Sequence, residues 1–238
     1  MSRLKTYLAV LFGSSLLLGV FAVSNAGAVT MHVCKEAAAG ATATEFSNSS
    51  CSTPLIGGKF RTVPVVGTQA IQTTSTATWV MTASPLGINT EIVCKKSHSE
   101  GATATNVEEG GKMKIKGGSS TTVFEECQMN KPVGCIVPTT IKTKGLVGES
   151  VDTETTMRAK IAPSEGTAFT SFVVSNCGLL NGEKTVNGTV SGETQTTTTA
   201  KFSSTTGSAL TYAGATATLT GETHGSTTDG TQLHVETP

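Results

Sequence analysis

The sequence predicts an all-β chain: a disulfide-stabilised antiparallel β-sandwich or partly closed barrel behind an N-terminal signal helix. Three observations carry that expectation. Thr makes up roughly one residue in five or six, far above ordinary usage, and Thr and Val stiffen χ1 in a way that suits a pleated surface. Short alternating runs recur at roughly ten-residue intervals, separated by turn residues. Six cysteines stand in a chain that opens like an exported protein, and an even count in that setting reads as a disulfide framework.

The opening segment has the layout of an export signal. Arg3 and Lys5 supply a positive n-region, and "YLAVLFGSSLLLGVFAV" (Tyr7 to Val23) supplies an apolar h-region. Small residues close it at "SNA" or "AGA", so cleavage is expected after Ala26 or Ala28. The rival is an uncleaved anchor helix, but Gly and Ser interrupt an apolar run already short for a membrane span. No Cys adjoins the cleavage site, and no later stretch is apolar enough to span a bilayer. The expected organisation is a signal peptide over 1–28, an N-terminal extension with a small disulfide loop over 29–68, and a β-domain over 69–238.

The strand candidates begin with "KFRTVPVV" (Lys59 to Val66), "TATWVMT" (Thr76 to Thr82), "INTEIVC" (Ile88 to Cys94) and "KMKIK" (Lys112 to Lys116). "TTVFEE", "TTMRAKI", "TAFTSFVV", "KTVNGTV" and "LHVE" continue the pattern. In "TATWVMT", Ala77, Trp79 and Met81 share a face, so Trp79 is expected inside, near a disulfide, rather than stacked on a sugar. In "KMKIK", Lys112, Lys114 and Lys116 form a basic stripe opposite Met113 and Ile115, a solvated face that discourages edge pairing. "TTDGTQ" puts Asp229-Gly230 at a tight hairpin turn, and the last strand, "QLHVE", is expected to pair back on "ATATLT".

"GATAT" occurs at Gly40, Gly101 and Gly214. Its alternation sets Ala on one face and Thr on the other, which fits a strand closely approached by another sheet. The unequal spacing argues against a solenoid.

The cysteines lack the CxxC spacing of a zinc or redox site. Cys127 and Cys135 flank "QMNKPVG", a Pro/Gly turn that would join two hairpin strands. Cys34 and Cys51 close a short loop containing "SNSS", which leaves Cys94 to pair with Cys177. The alternative set, Cys94 with Cys127 and Cys135 with Cys177, stays open because spacing does not determine connectivity.

The net charge is +0, and only 14% of residues are charged. Losing Arg3 and Lys5 with the signal leaves 15 basic against 17 acidic residues, a net charge of −2. That balance disfavours a nucleic-acid partner, which requires a basic footprint.

From about Gln69 onward the pattern resembles a group of secreted β-proteins of unknown function, numerous in soil actinobacteria. The residues that carry the likeness are "TEIVCKKSHSEGAT", "VFEECQMNKPVGCIV" followed by "IKTKGLVGES", "FTSFVVSNCG", "VNGTVSGE" and the tail "YAGATATLTGET…QLHVE". Those proteins similarly place one Cys before a small-residue strand, two around a hairpin and one after a strand, positions held here by Cys94, Cys127, Cys135 and Cys177. The likeness covers roughly seven-tenths of the chain and leaves out Cys34 and Cys51. It implies an exported β-protein and supplies no activity, ligand or catalytic residue.

No motif in the sequence marks a catalytic residue, a metal ligand or a cofactor site. His32, His98, His224 and His234 are the only histidines. "KSHSEG" sets His98 between serines, but neighbours on a strand point to opposite faces. "HGSTTDG" gathers His224, Ser226 and Asp229 in one loop, which reads as turn chemistry rather than a triad. Asp152 with Glu154, and Glu125 with Glu126, are the carboxylate pairs a hydrolase would need across a cleft. No G-x-S-x-G elbow, H-E-x-x-H helix, phosphate loop or EF-hand pattern occurs. Asn48 and Asn187 match a glycosylation pattern that carries no weight in a bacterial export setting. The Thr-rich run "TQTTTTAKFSSTTG" has no fixed repeat on which to build an ice-like lattice.

The expected role is a non-enzymatic exported protein, a structural or binding module of the envelope or medium. Its partner is unidentified, with a cell-surface or glycan partner left open. A lectin-like or small-ligand module using loops at one end is the alternative, and a carboxylate-dependent hydrolase the distant third. A cleft joining Asp152, Glu154 or His98 would favour the enzyme. An exposed Trp79 or an apolar groove would favour ligand binding, and a Thr-covered surface with a long open edge strand would favour a scaffold.

Overall fold

A computed structural model describes residues 29–38, 45–152, 157–194, 199–202 and 208–236. The signal segment, the first "GATAT", Glu154 and most of the Thr-rich run lie outside the described residues. The fold is all-β and antiparallel, as the alternating runs predict. Among the described residues no helix is long and apolar enough to cross a membrane.

The first strands are β1 (Thr30–Glu36), β2 (Phe60–Pro64), β3 (Thr68–Ser75), β4 (Trp79–Ala83), β5 (Thr90–Glu100) and β6 (Thr103–Glu109). They are followed by β7 (Lys112–Lys131), β8 (Thr140–Lys142), β9 (Leu146–Asp152), β10 (Met157–Pro163) and β11 (Ala168–Val174). The chain ends with β12 (Gly182–Thr194), β13 (Thr199–Phe202), β14 (Ala209–Tyr212), β15 (Ala215–Thr227) and β16 (Leu233–Glu236).

Three of these strands are long: β7 has 20 residues and β12 and β15 have 13 each. Each changes neighbours along its length. β7 pairs with β6 and β9 over its first part, then with β5 and β8. β15 pairs with β14 and β4, then with β13 and β3. β12 pairs with β11 and β14, then with β10 and β13. Two hydrogen-bonded rings result, set end to end on shared strands, so the sheet is not one regular barrel.

The first ring runs β7–β5–β4–β15–β14–β12–β11 and closes through β8 by the Thr143–Thr170 bridge. Its interior is the main core, with Met81, Ile92, Phe124, Phe169, Phe172, Val186, Leu210 and Leu219 all buried. Trp79 is buried there as expected, directly across from Cys94 on the neighbouring strand. Its ring centroid lies 5.4 Å from Phe124, edge-on, and 5.4 Å from Phe202. Only glycine fits beneath it, since a Cβ at Gly221 would come within 2.3 Å of the indole. These aromatics form the floor between the two rings.

The second ring runs β7–β6–β3–β15–β13–β12–β10–β9 and back to β7. Its β6–β7 hairpin turns at Gly110-Gly111, both at positive φ (62° and 75°), the geometry a two-residue turn demands. A separate sheet, β16–β1–β2, lies against this ring, with Met31, Val33, Val65, Ala104 and Leu233 forming a second core between them. The expected pairing of "QLHVE" with "ATATLT" is therefore overturned. The Asp229-Gly230 turn forms as predicted, but after one bridge from Ser226 to Gln232 the chain leaves β15, and β16 pairs with β1. The cause is steric: β4 and β14 already flank the "ATATLT" part of β15. The alternation of "GATAT" holds at both described copies, with Ala102, Ala104 and Ala217 buried and the intervening Thr more exposed.

All six cysteines are bonded, and the pairing of four corrects the preferred expectation. Cys34–Cys51 forms as expected. Cys94 bonds Cys127 and Cys135 bonds Cys177, in place of Cys94–Cys177 and Cys127–Cys135. The hairpin after β7 is wider than a tight turn. Cys127 donates its N–H to Thr139 on the return leg, while Cys135 is carried to β11, where Ile136 pairs with Ser175. Cys94 and Cys127 stand directly opposite on β5 and β7, with Cα atoms 3.9 Å apart. Three disulfides indicate an oxidising environment.

Two predictions follow from this core. Non-reducing peptide mapping is expected to recover Cys94 linked to Cys127 and Cys135 linked to Cys177, and replacing either pair with Ala should lower stability by about 4 kcal/mol on the loop-entropy scale. Tyr212 is fully buried, burial pushes its phenol up to about 12, and its hydroxyl has no hydrogen-bond partner among the described residues. Tyr212→Phe should therefore leave the melting temperature unchanged or raise it, because it removes a buried group that gains nothing.

Candidate functional site

The second ring surrounds an apolar hollow of about 230 Å³ that is partly open to the outside. The first ring, by contrast, holds only a void of about 40 Å³ beside Trp79. Inward positions of several strands line the larger hollow, notably Met31, Ile71, Ile115, Met157, Ile161 and Phe202. Small residues make the room: Ala104, Ala159, Ala200, Gly117, Gly148 and Gly225 sit where longer side chains would fill the space. Leu233 and Val235 of β16, with Met31 of β1, cover one side.

Two of the polar groups on this wall are already engaged. The Ser150 hydroxyl accepts the Ile115 N–H at 2.9 Å, and the Thr223 hydroxyl donates to the Thr74 carbonyl at 3.3 Å. Glu149 lies between Gly148 and Ser150, which face the hollow, so strand alternation carries its carboxylate to the outer surface opposite Lys116. The lining therefore offers shape and apolar contact, with no charge.

Asn106 holds the covering sheet in place. Its side-chain oxygen accepts the Met31 N–H at 2.8 Å, and its amide donates to the carbonyls of Met31 at 2.8 Å and Val65 at 2.9 Å. Val29 adds a backbone bond to Met113 at 3.0 Å. Sequence reasoning missed Asn106. The available signal was an Asn inside "ATATNVE", where strand preference disfavours it unless its amide has work to do.

On the outer face of that sheet, His32 and His234 stand directly opposite each other, both buried. His234 Nε2 lies 2.8 Å from the Ser50 carbonyl and so carries the proton. The Cys34–Cys51 bridge and the side chain of Asn48, which accepts the N–H groups of Ser52 and Thr53, shape the loop there. Asn48 is thus a turn organiser, and Asn187 pairs with Thr167 at 3.3 Å on the outside of the first ring.

The other candidates are dispersed. His98 lies 3.3 Å from Glu125 and 3.8 Å from Glu100 on an outer face. Glu126 turns away to Lys96 at 2.6 Å, and hydrogen bonding from Lys96 holds its carboxyl below the usual range. Glu125 and Glu126 therefore do not converge. The side chains of Asp152 and Glu154 lie outside the described residues. Lys114 and Lys116 both reach Glu109, so the basic stripe is a solvated, ion-paired face.

His224 Nδ1 is 2.9 Å from the Thr199 hydroxyl and its Nε2 is 3.3 Å from Glu222, an order that imitates a triad. Yet Glu222 and His224 are alternate residues on the outer face of one strand, and His224 is more than half exposed. Ser226 instead accepts from Gln72 at 3.1 Å. Asp229 takes bonds from the Thr227 hydroxyl and the Thr231 N–H, which lower its carboxyl to about 2. "HGSTTDG" is turn chemistry. Among the described residues, no group of three or more His, Cys, Asp or Glu side chains could hold a metal ion.

No protein family, curated protein or solved structure matches the chain. The roles of these residues rest on geometry alone.

Replacing Asn106 with Ala takes the side-chain partner from the Val65 carbonyl and the Met31 N–H beneath the covering sheet, while the Met31 carbonyl keeps the Val65 N–H at 2.9 Å. Stability is expected to fall by about 2–4 kcal/mol, with amide exchange rising first in β1 and β2 rather than in β4 and β5. Uniform loss of protection across all four strands would show that Asn106 is not the anchor.

Proposed function

We propose that the protein is an exported, non-catalytic binding module that takes a small, uncharged, apolar molecule into the second ring. The hollow of about 230 Å³ carries this reading. Apolar cavities near 150 Å³ accept benzene, so this one suits a ligand of about nine or ten carbons. Filling it restores packing contacts that the side chains leave unmade.

Several observations support this reading over its rivals. Buried Trp79 is no platform for a sugar ring. The scaffold reading calls for a long open edge, but the edge strands of the small sheet, β2 and β16, have only five and four residues. The hydrolase reading calls for convergent carboxylates, and Glu125 and Glu126 bond away from each other. The three disulfides fit a chain that works outside the cytoplasm. The likeness to exported actinobacterial β-proteins agrees with export and adds no ligand.

Naphthalene, a neutral ten-carbon probe with its own fluorescence, tests the reading. Saturable one-to-one binding is expected, with Kd on the order of 10 µM for a ligand of that size. The double variant Ala159→Leu with Ala200→Leu fills the hollow and should weaken binding at least tenfold, on the order of 1.4 kcal/mol or more, without lowering the melting temperature. Absence of saturable binding, or equal affinity in the filled variant, would falsify the reading.

A further inference from the structure

We propose that the end of the first ring, remote from the hollow, is a docking surface for a phospholipid bilayer. Three connections meet there: residues 84–89 between β4 and β5, 132–139 after β7, and 175–181 between β11 and β12. They are attached where β7 ends and β12 begins, whereas the hollow lies along the opposite parts of those two shared strands.

The three connections carry large aliphatic side chains outward. Leu86 is 76% exposed, Val133 93% and Leu179 79%, with Ile136 also exposed beside them. Isolated exposed apolar residues need no explanation, but a group of them at one end of the molecule does. Leu86 is notable for its backbone. It sits at φ 54°, a left-handed conformation that a large side chain disfavours, between fully buried Pro85 and Gly87. Glycine or asparagine would relieve that position, and neither would present a hydrocarbon there.

The end is built as a rigid unit. Cys135–Cys177 joins two of the connections, and the Asn176 amide donates to the Gly134 carbonyl at 2.7 Å beside the bond. Lys131 ties the first to the second through Glu91 at 3.1 Å. Ordering on docking is thus small, which favours binding through few contacts.

Two features select a bilayer over a protein surface. First, the turns satisfy many of their own backbone groups. Gly87 bonds Ser84, Ile88 bonds Pro85, Leu180 bonds Cys177, and the Asn181 side chain accepts the Cys177 N–H at 2.7 Å. Immersed backbone needs that, because lipid offers no partners. Second, the Lys184 ammonium stands among the aliphatic tips, held over the Asn181 carbonyl at 2.9 Å, whereas Lys131 is already paired with Glu91. The Lys184 charge complements phosphate, and its stem reaches from the apolar zone to the headgroups. The end also lacks the exposed aromatic and arginine anchors typical of protein hot spots.

Vesicle co-sedimentation of the disulfide-bonded protein tests this, with phosphatidylcholine alone and mixed with phosphatidylglycerol. Binding to both is expected, stronger to the anionic mixture. The triple variant Leu86→Ser, Val133→Ser, Leu179→Ser should lose at least a hundredfold in partition, since each half-immersed side chain is worth about fivefold to tenfold. Lys184→Gln should remove only part of the anionic increment. In a separate variant, Leu86→Trp, fluorescence should shift to the blue on adding vesicles and be quenched by brominated lipid. The proposal is overturned if the natural protein stays in the supernatant, if the triple variant sediments equally, or if the new Trp stays in water. It is also overturned if the natural protein self-associates without vesicles and the triple variant does not, which would make the end a protein contact. Naphthalene binding should be unchanged in the triple variant, so failure here is separable from failure of the ligand reading.

Discussion

The continuity of β7, β12 and β15 through both rings is the constraint on which the rest of the structure depends. A strand that serves two interiors must keep its inward residues inward on both sides of the change of neighbours. In β15 the parity runs unbroken: Ala217 and Leu219 face the first core, Gly221 admits Trp79, and Thr223 and Gly225 face the hollow. In β7 it does not. Cys127 and Met129 are buried, Phe124 is buried, and Glu126 between them takes a positive φ of 53°. Its partner strand slips at the same level, with Lys95 and Lys96 both exposed between buried Cys94 and Ser97. Both strands shift together, so pairing survives while the faces exchange.

The division between the rings is aromatic and depends on two glycines. Phe202 lies over Gly192, where a Cβ would meet the ring at 2.8 Å, and Trp79 lies over Gly221. Large flat side chains spread across strands that lack side chains of their own. The first ring is consequently filled, while the second, beyond the aromatic floor, is lined by aliphatic side chains such as Ile71, Ile115 and Met157 interspersed with Ala and Gly. Packing density is thus distributed unevenly on purpose of composition: the aromatics of β4, β7, β11 and β13 serve the first interior, and few remain for the second.

Much of this was legible in the residues. Alternation in "TATWVMT" placed Trp79 correctly, and "GATAT" showed which face would be Ala. What escaped was whatever depends on partners distant in sequence. The disulfides paired by strand neighbourhood rather than by the shortest loops, because β5 beside β7 sets Cys94 opposite Cys127 however the turn at "QMNKPVG" is built. The last strand found β1 because the closer site on β15 was taken. Nor can a sequence show volume. Inward Ala and Gly read the same whether a second sheet presses close or a space remains, and Asn106, Ile115 and Met157 gain their roles only once β1 is seen lying over β6.

The positions of the three sulfur bridges fit a molecule with one stiff end and one yielding one. Cys135–Cys177 lies at the far end of the first ring, Cys94–Cys127 crosses two strands of its wall, and Cys34–Cys51 braces the outer loop over the covering sheet. None crosses the wall of the second ring. That wall is held by strand pairing, and its cover by the three bonds of Asn106 and a four-residue β16. Local opening follows the weakest cooperative unit, and a short covering strand is weaker than a disulfide-crossed pair. Opening on the side of β16 and β1 would therefore widen the hollow while the first ring keeps its shape.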